Sequence, residues 1–219
     1  MKNSYTLLKL MENGGPIMWI ILFFSILALF VFLLKTFQFH REEINVRELL
    51  RGLFNVLKRN GLVEAITLCD NTPGPVAKLL AAAILAHKSG DTNIRSAIDD
   101  AVLEELPKLE RHINLLGTIG YILPILGFLG TVLGILDAFE TIQLKEYTSA
   151  PQFAASIKES LLTTAFALSV AIPCHIAYNF LVGKVDSMTA DMEKASHEII
   201  TFFERQKNEN EHSNPSNEE

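Results

Sequence analysis

Charged and apolar positions are unevenly spread along the chain. Three stretches, 16–34, 113–136 and 160–183, run for 19, 24 and 24 residues without an Asp, Glu, Lys or Arg. As helices they would span about 28 to 36 Å, enough for a hydrocarbon core of about 30 Å. The pattern predicts an all-α polytopic membrane protein with three transmembrane helices, the second and third extended into the cytoplasm. Between the first two spans, residues 35–112 read as a helical segment. Ile44, Leu49, Leu50, Leu53, Val56 and Leu57 recur at helical spacing and predict a helix over 44–69, weakened by Gly52 and Gly61. Thr72-Pro-Gly-Pro75 breaks the chain before a helix over 76–88, which Ser89-Gly90 ends; Asp91 or Thr92 would cap the next. From Ile94 the apolar spacing runs through Leu103, Leu106, Leu109 and Ile113 into the second span, which predicts one continuous helix kinked at Pro107. A short connection over 137–159 leads to the third span. That span continues over 184–205 as an amphipathic helix through Met188, Met192, Ile199 and Phe203, and 206–219 reads as a polar, disordered tail.

Charge fixes the expected orientation. Near the spans, Lys35, Arg41, Arg47, Arg51, Arg95, Lys108, Arg111, Lys184 and Lys194 lie on one side, against Lys2, Lys9, Lys145 and Lys158 on the other. Nine against four predicts segment 1–15 and the N-terminus in the periplasm and the C-terminus in the cytoplasm, under the positive-inside rule. The first span is too long for a signal-peptide core, and Lys35-Thr-Phe follows it in place of a small-residue cleavage site, so it reads as retained. A net charge of -6 argues against a nucleic-acid partner. Cys69 and Cys174 fall in different compartments under this topology, so a disulfide between them is not expected.

The spans differ in chemistry. The first is bulky and aromatic, with Trp19, Phe23, Phe24, Phe30 and Phe32 and one hydroxyl, Ser25. The second places Gly117, Gly120, Pro124, Gly127, Thr131, Gly134 and Ala138 at alternating steps of 3 and 4, a single seam along a helix. The third carries a matching stripe: Ser160, Thr164, Ala167, Ala171, Cys174 and Tyr178, with Thr163 beside it and Glu159 before it. Such seams read either as plain helix–helix packing or as the wall of a pathway, since small residues let helix backbones approach in lipid. Asp137 reads as a solvated helix end. Glu159 reads either as a solvated helix start or as an acid feeding ions to Thr163, Thr164 and Thr131. Hydroxyls do not titrate near neutral pH, so a titrating acid must come from elsewhere. Adjacent Cys174 and His175 point about 100° apart on a helix and read as packing, not as a metal site. Pro124 and Pro173 read as bends. No nucleophile triad, phosphate loop or intramembrane carboxylate pair occurs, so neither an enzyme nor a bound cofactor or metal is expected.

Two blocks carry a family resemblance. Leu123-Pro-Ile-Leu-Gly-Phe-Leu-Gly-Thr-Val-Leu-Gly-Ile-Leu-Asp-Ala-Phe139 is followed some 20 residues later by Ile157-Lys-Glu-Ser-Leu-Leu-Thr-Thr-Ala-Phe-Ala-Leu-Ser-Val-Ala-Ile-Pro-Cys-His-Ile-Ala-Tyr-Asn179. In order and spacing they resemble the ExbB/TolQ/MotA proton-channel family, and the three-span layout is closer to ExbB or TolQ. The resemblance implies a homopentamer in a bacterial inner membrane whose second and third spans line a pore around a dimer of an ExbD- or TolR-like single-span partner. That partner would supply the intramembrane aspartate. Thr131 and Thr164 would be pore hydroxyls, Glu159 the family's glutamate ahead of the third span, and Gly120, Pro124, Gly127, Gly134, Ser160, Ala167 and Ala171 the pore packing. The resemblance further implies H+ transport, with Na+ open as the alternative ion, driving work on a TonB-like or Tol-type periplasmic client. Ala167, Phe128 and Leu123 depart from the residues many members carry, which would reshape the packing. The competing expectation is a passive scaffold that uses the seams only to oligomerise; a pore closed without the partner is also expected, because a small apolar seam dewets.

Overall fold

A computed structural model describes residues 15–42, 44–89, 93–144 and 150–212, and among these every regular element is a helix. The order is α1 (Gly15–Glu42), α2 (Val46–Lys58), α3 (Leu62–Asp70), α4 (Pro75–Lys88), α5 (Ile94–Glu110), α6 (Ile113–Leu144) and α7 (Ala150–His212). The three apolar stretches lie within α1, α6 and α7, and among the described residues three helices are long and apolar enough to cross a membrane. Their outward residues are large and apolar, among them Trp19, Phe23, Phe30, Tyr121, Phe128 and Ile172. That inversion of the usual surface suits a lipid solvent.

The chain divides into two units. One joins the part of α1 up to Thr36 with His112–Leu181; the other joins Phe37–Arg111 with the chain from Val182 onward. In the second unit the centre is α4, whose Pro75, Val76, Ala77, Leu79, Leu80, Ala83 and Ile84 are all buried. Its alanines allow close approach on several faces, and Pro75 begins it at a position where a missing N–H costs nothing. Gly74 precedes it at φ 109, where a Cβ would stand 2.9 Å from the Glu42 carbonyl oxygen. Only glycine fits that turn. The amphipathic part of α7 buries Met192, Ala195, Ile199 and Phe203 as its spacing predicts, with Met188 half-buried. Phe203 stacks on His87 of α4 at 4.1 Å and Phe202 on Phe54 of α2 at 4.9 Å. Glu105 of α5 is buried and receives hydrogen bonds from Lys78 of α4 at 2.8 Å and Lys108 at 2.7 Å. Burial pushes the Glu105 carboxyl up, but hydrogen bonds from Lys108 and Lys78 outweigh it and hold it below the ordinary carboxylate value. Both cysteines are free and buried; burial, with Asp70 alongside, pushes the Cys69 thiol up to about 11.

Several boundaries differ from the sequence expectation. The helix expected over 44–69 is two, α2 and α3, divided where Asn60 takes φ 58 and the Gly61 N–H turns back to the Val56 carbonyl at 3.2 Å. The helix expected to run unbroken from Ile94 into the second span stops at Glu110. Arg111 is extended at ψ 131 and His112 is left-handed at φ 70, so α5 and α6 are separate helices. Apolar spacing persists on both sides of this turn, which hides it from a periodicity argument. The α5 cap is Asn93, whose Oδ1 accepts the Ser96 N–H at 3.2 Å; Asp91 and Thr92 lie outside the described residues. At the other end, α6 continues past 136 to Leu144, and α7 begins at Ala150 and carries its helix to His212, seven residues into the expected tail.

Candidate ion pathway

The two small-residue stripes face each other. Along α6 and α7, numbering rises on one helix as it falls on the other, in constant register. A Cβ on Gly117 would meet Tyr178 at 2.8 Å, on Gly120 the His175 Nδ1 at 2.8 Å, and on Gly127 the Ala167 Cβ at 2.6 Å. Gly130 packs likewise against Thr163 at 2.9 Å, and Gly134 against the Ser160 side chain. Ala138, Ala167 and Ala171 are buried in the same seam, and Pro124 is half-buried between its glycines. Absent side chains are what allow this approach, and close van der Waals packing is the main attraction between helices in lipid. The alternation of 3 and 4 therefore encodes a contact made within one chain.

Midway along the seam the hydroxyls close on one carbonyl. Thr164 Oγ1 donates to the Gly127 oxygen at 2.6 Å, Thr131 Oγ1 lies 3.3 Å from the same oxygen, and the two hydroxyls form a short mutual hydrogen bond. Thr163 donates to the Glu159 carbonyl at 3.2 Å and Ser160 to the Ile157 carbonyl at 2.9 Å. Thr163 and Ser160 are buried, while Thr131 and Thr164 are half-buried. Thr164, Thr163 and Ser160 give their protons to backbone carbonyls, so the proton between the two threonines is that of Thr131, and each hydroxyl keeps an acceptor lone pair.

Glu159 is half-buried and lies in a different environment. It shares a cavity of about 260 Å³ with Asp137, Ser156, Ser160 and Thr163, closed on one side by Pro16 and Ile17 of α1. Thr131 and Thr164 are not on this cavity. Of the four residues expected on one ion pathway, Glu159 and Thr163 share the cavity and Thr131 and Thr164 share the seam. Asp137 was expected as a solvated helix end. The helix runs seven residues beyond it, and its place near Gly134 brings it into the cavity with Glu159. Its spacing of three from Gly134 was the available signal.

A second cavity of about 620 Å³, almost wholly apolar, lies between α1 and α7, lined by Ser25, Leu29, Phe32, Val170, Pro173 and Ala177 among others. It marks the face of α7 turned toward α1, and it takes in Ser25, the one hydroxyl of the first apolar stretch. Among the described residues no group of three or more His, Cys, Asp or Glu is placed to hold a metal ion.

Comparison with known proteins gives this geometry a context. Residues 71–194, more than half of the chain, match the MotA/TolQ/ExbB proton channel family. A biopolymer transport protein ExbB of Neisseria meningitidis serogroup A is 27% identical over 214 residues, covering 90% of this chain and 96% of that protein. Its namesake in Xanthomonas campestris pv. campestris is 36% identical over 107 residues, 49% of this chain and 42% of that one. An ExbB homologue of Methanothermobacter thermautotrophicus is 25% identical over 183 residues, 83% of this chain, and the match spans 64% of that protein's length.

Proposed function

The chain belongs to the MotA/TolQ/ExbB proton channel family, and from that premise we propose that it is the ring-forming subunit of an ion-driven stator. Five copies surround a dimer of a single-span, ExbD- or TolR-like partner in a bacterial inner membrane, with the N-terminus in the periplasm. The transported ion is H+, and its passage drives work on a TonB-like or Tol-type periplasmic client. The observation that carries this reading is the Thr131–Thr164 pair, brought together at the centre of a membrane-spanning seam that contains no charged residue. Paired hydroxyls can pass a proton or coordinate a cation but do not titrate near neutral pH, and this reading takes the carboxyl that titrates beside them from the single-span partner.

The path begins at Glu159, whose cavity gathers two carboxylates and three hydroxyls beside the first turn of α1. Thr163 links that cavity to the seam through its contact with Gly130. Protonation of the partner's aspartate removes a charge from the apolar interior, and its release restores one. Each proton crossing supplies about 2.3 kcal/mol per 100 mV of membrane potential to the motion of ring against partner. The scaffold reading uses the seams only for packing; here they pack against each other within one chain, and the half-buried Thr131 and Thr164 are the seam hydroxyls this reading turns toward the partner.

Ion flux in proteoliposomes holding the chain with its partner tests the proposal. Flux is expected to require the partner, to follow an imposed proton gradient over a sodium gradient, and to be lost in Thr164→Ala without loss of assembly. Glu159→Gln is expected to slow flux on the order of 10²-fold, the lower range for removal of a proton-transferring group. Flux that follows sodium would replace the ion; absence of flux from an assembled complex would leave the scaffold.

A further inference from the structure

The proposed pathway has an acid at one end and hydroxyls in its middle, and nothing assigned to carry protons out toward the cytoplasmic side. One titratable side chain in the spans has no part in it so far. His175 was read from the sequence as packing. In the fold its Nδ1 lies across Gly120, 2.8 Å from where a Cβ would stand, with the Cys174 Cβ behind it at 3.6 Å. His175 is nonetheless exposed in the single chain, while Cys174 is buried.

Helix geometry aligns it with the hydroxyls. Eleven residues separate Thr164 from His175, and eleven separate Gly120 from Thr131, which is close to three turns, or about 16 Å along the axis. Both pairs therefore sit on one line of the seam, at two depths. The face of α7 turned toward α1 contributes Ser169, Pro173, Cys174, Ala177 and Phe180 to the cavity between them, and His175 is not part of that lining. The imidazole is thus on the side of the seam away from α1, the side left for other chains. Its titratable neighbours are few. Gly120 faces it from α6, where Tyr121 adjoins, and Cys174 and Tyr178 flank it on α7. No Asp, Glu, Lys or Arg occurs in 16–34, 113–136 or 160–183; Lys35, Arg111 and Lys184 are the first charges beyond them on this side.

We propose that His175 is the proton acceptor on the cytoplasmic side of this pathway, held in place by the missing side chain at Gly120. The inference rests on the stator reading. Imidazole is the one ordinary side chain that gains and loses a proton between about pH 5 and 8, so it can take what a hydroxyl can only pass along. A proton leaving the partner's carboxylic acid, directly or through water, bonds to the free imidazole nitrogen and leaves a carboxylate behind. The imidazolium then gives its proton to water on the cytoplasmic side and returns to neutral, so one proton enters and one leaves in each passage. A cation forms transiently opposite the partner's carboxylate, which favours the transfer. Gly120 fixes where the ring lies: an alanine there would push against Nδ1 and Cε1, the latter at 3.3 Å, and displace it.

The test uses the full chain with its partner in proteoliposomes, a trapped pH-sensitive dye, and pH on the C-terminal side stepped from about 5 to 8. Wild type is expected to show a step in flux across that range. His175→Gln is expected to conduct on the order of tenfold or more slowly and to lose the step. His175→Ala is expected to regain flux when imidazole is added on the C-terminal side, a rescue that a packing role would not give. A His175→Gln complex with the wild-type rate and the wild-type step overturns the relay; so does a His175→Ala defect that imidazole leaves unchanged. Thr164→Ala in the same vesicles separates the two claims. If it abolishes flux while His175→Gln does not, the stator reading stands and the relay falls, and if wild type itself carries no flux, both fall.

Discussion

At the scale of single residues, the seam is a set of exclusions. Gly127 and Ala167 divide one volume between them: a Cβ on Gly127 would come 2.6 Å from the methyl of Ala167. Ala167 brings a methyl into the seam, and Gly127 leaves the space for it. Gly127→Ala is therefore expected to cost about 1–3 kcal/mol through overpacking, read as a lowered midpoint in thermal unfolding of the detergent-solubilised protein. The double variant Gly127→Ala with Ala167→Gly is expected to recover most of that loss, because the two positions share one cavity and their effects are coupled. Gly183→Ala is the control. Nothing stands within 4 Å of a Cβ there, and alanine is the better helix former by about 1 kcal/mol. Equal stabilisation by Gly127→Ala and Gly183→Ala would mean that helix propensity, and not the seam, decides.

At the scale of elements, Glu105 joins α4 to α5. Its side chain is 10% exposed, whereas Lys78 and Lys108 are 59% and 51% exposed, so the two cations are largely screened by water and the buried carboxylate is the critical member. Glu105→Ala is expected to destabilise the unit by about 1–2 kcal/mol, near the lower range for a hydrogen bond to a charged group. The carboxyl is held below its ordinary value, so the folded state binds its proton less tightly than the unfolded state does. The stability it adds is fully present above about pH 4.3, the unfolded value, and is lost as pH falls through the folded value. Wild type is expected to lose thermal stability on acidification below that point more steeply than Glu105→Ala; parallel acid curves would mean that the cluster is solvated and inert. The same scale shows what the sequence could and could not reveal. Three apolar stretches and two stripes at steps of 3 and 4 were legible, because a helix repeats every 3.6 residues and each stripe needs one face. The pairing of Thr131 with Thr164 follows once the stripes face each other. The turns at Asn60 and His112 were not legible, because each rests on one left-handed residue while apolar spacing runs on around it. Nor was the cavity that Glu159 shares with Asp137, which depends on how the first turn of α1 closes it. Asp137 is exposed, as a solvated carboxylate should be, but it does not end its helix, because apolar character stops there while the helix runs on.

At the scale of the whole molecule, direction is what would make the proposed pathway a motor. Glu159 near one end of the third span and His175 toward the other define an intake and an outlet only if the chain is threaded one way. Nine Lys and Arg flank the spans on the His175 side and four on the Glu159 side. Under the positive-inside rule that imbalance favours the nine on the cytoplasmic face, the orientation proposed above. A green fluorescent protein fused after Glu219 is therefore expected to fluoresce, and alkaline phosphatase fused at the same place to stay inactive, since one matures in the cytoplasm and the other outside it. A single cysteine placed at Ser149, between α6 and α7, is expected to react with a membrane-impermeant maleimide added to intact cells. The opposite pattern in both assays would put Glu159 on the cytoplasmic side. The proton-motive force would then drive ions toward the carboxylates from the imidazole, and the assignment of intake and outlet would have to be exchanged while the seam, the hydroxyl pair and their chemistry stayed as they are.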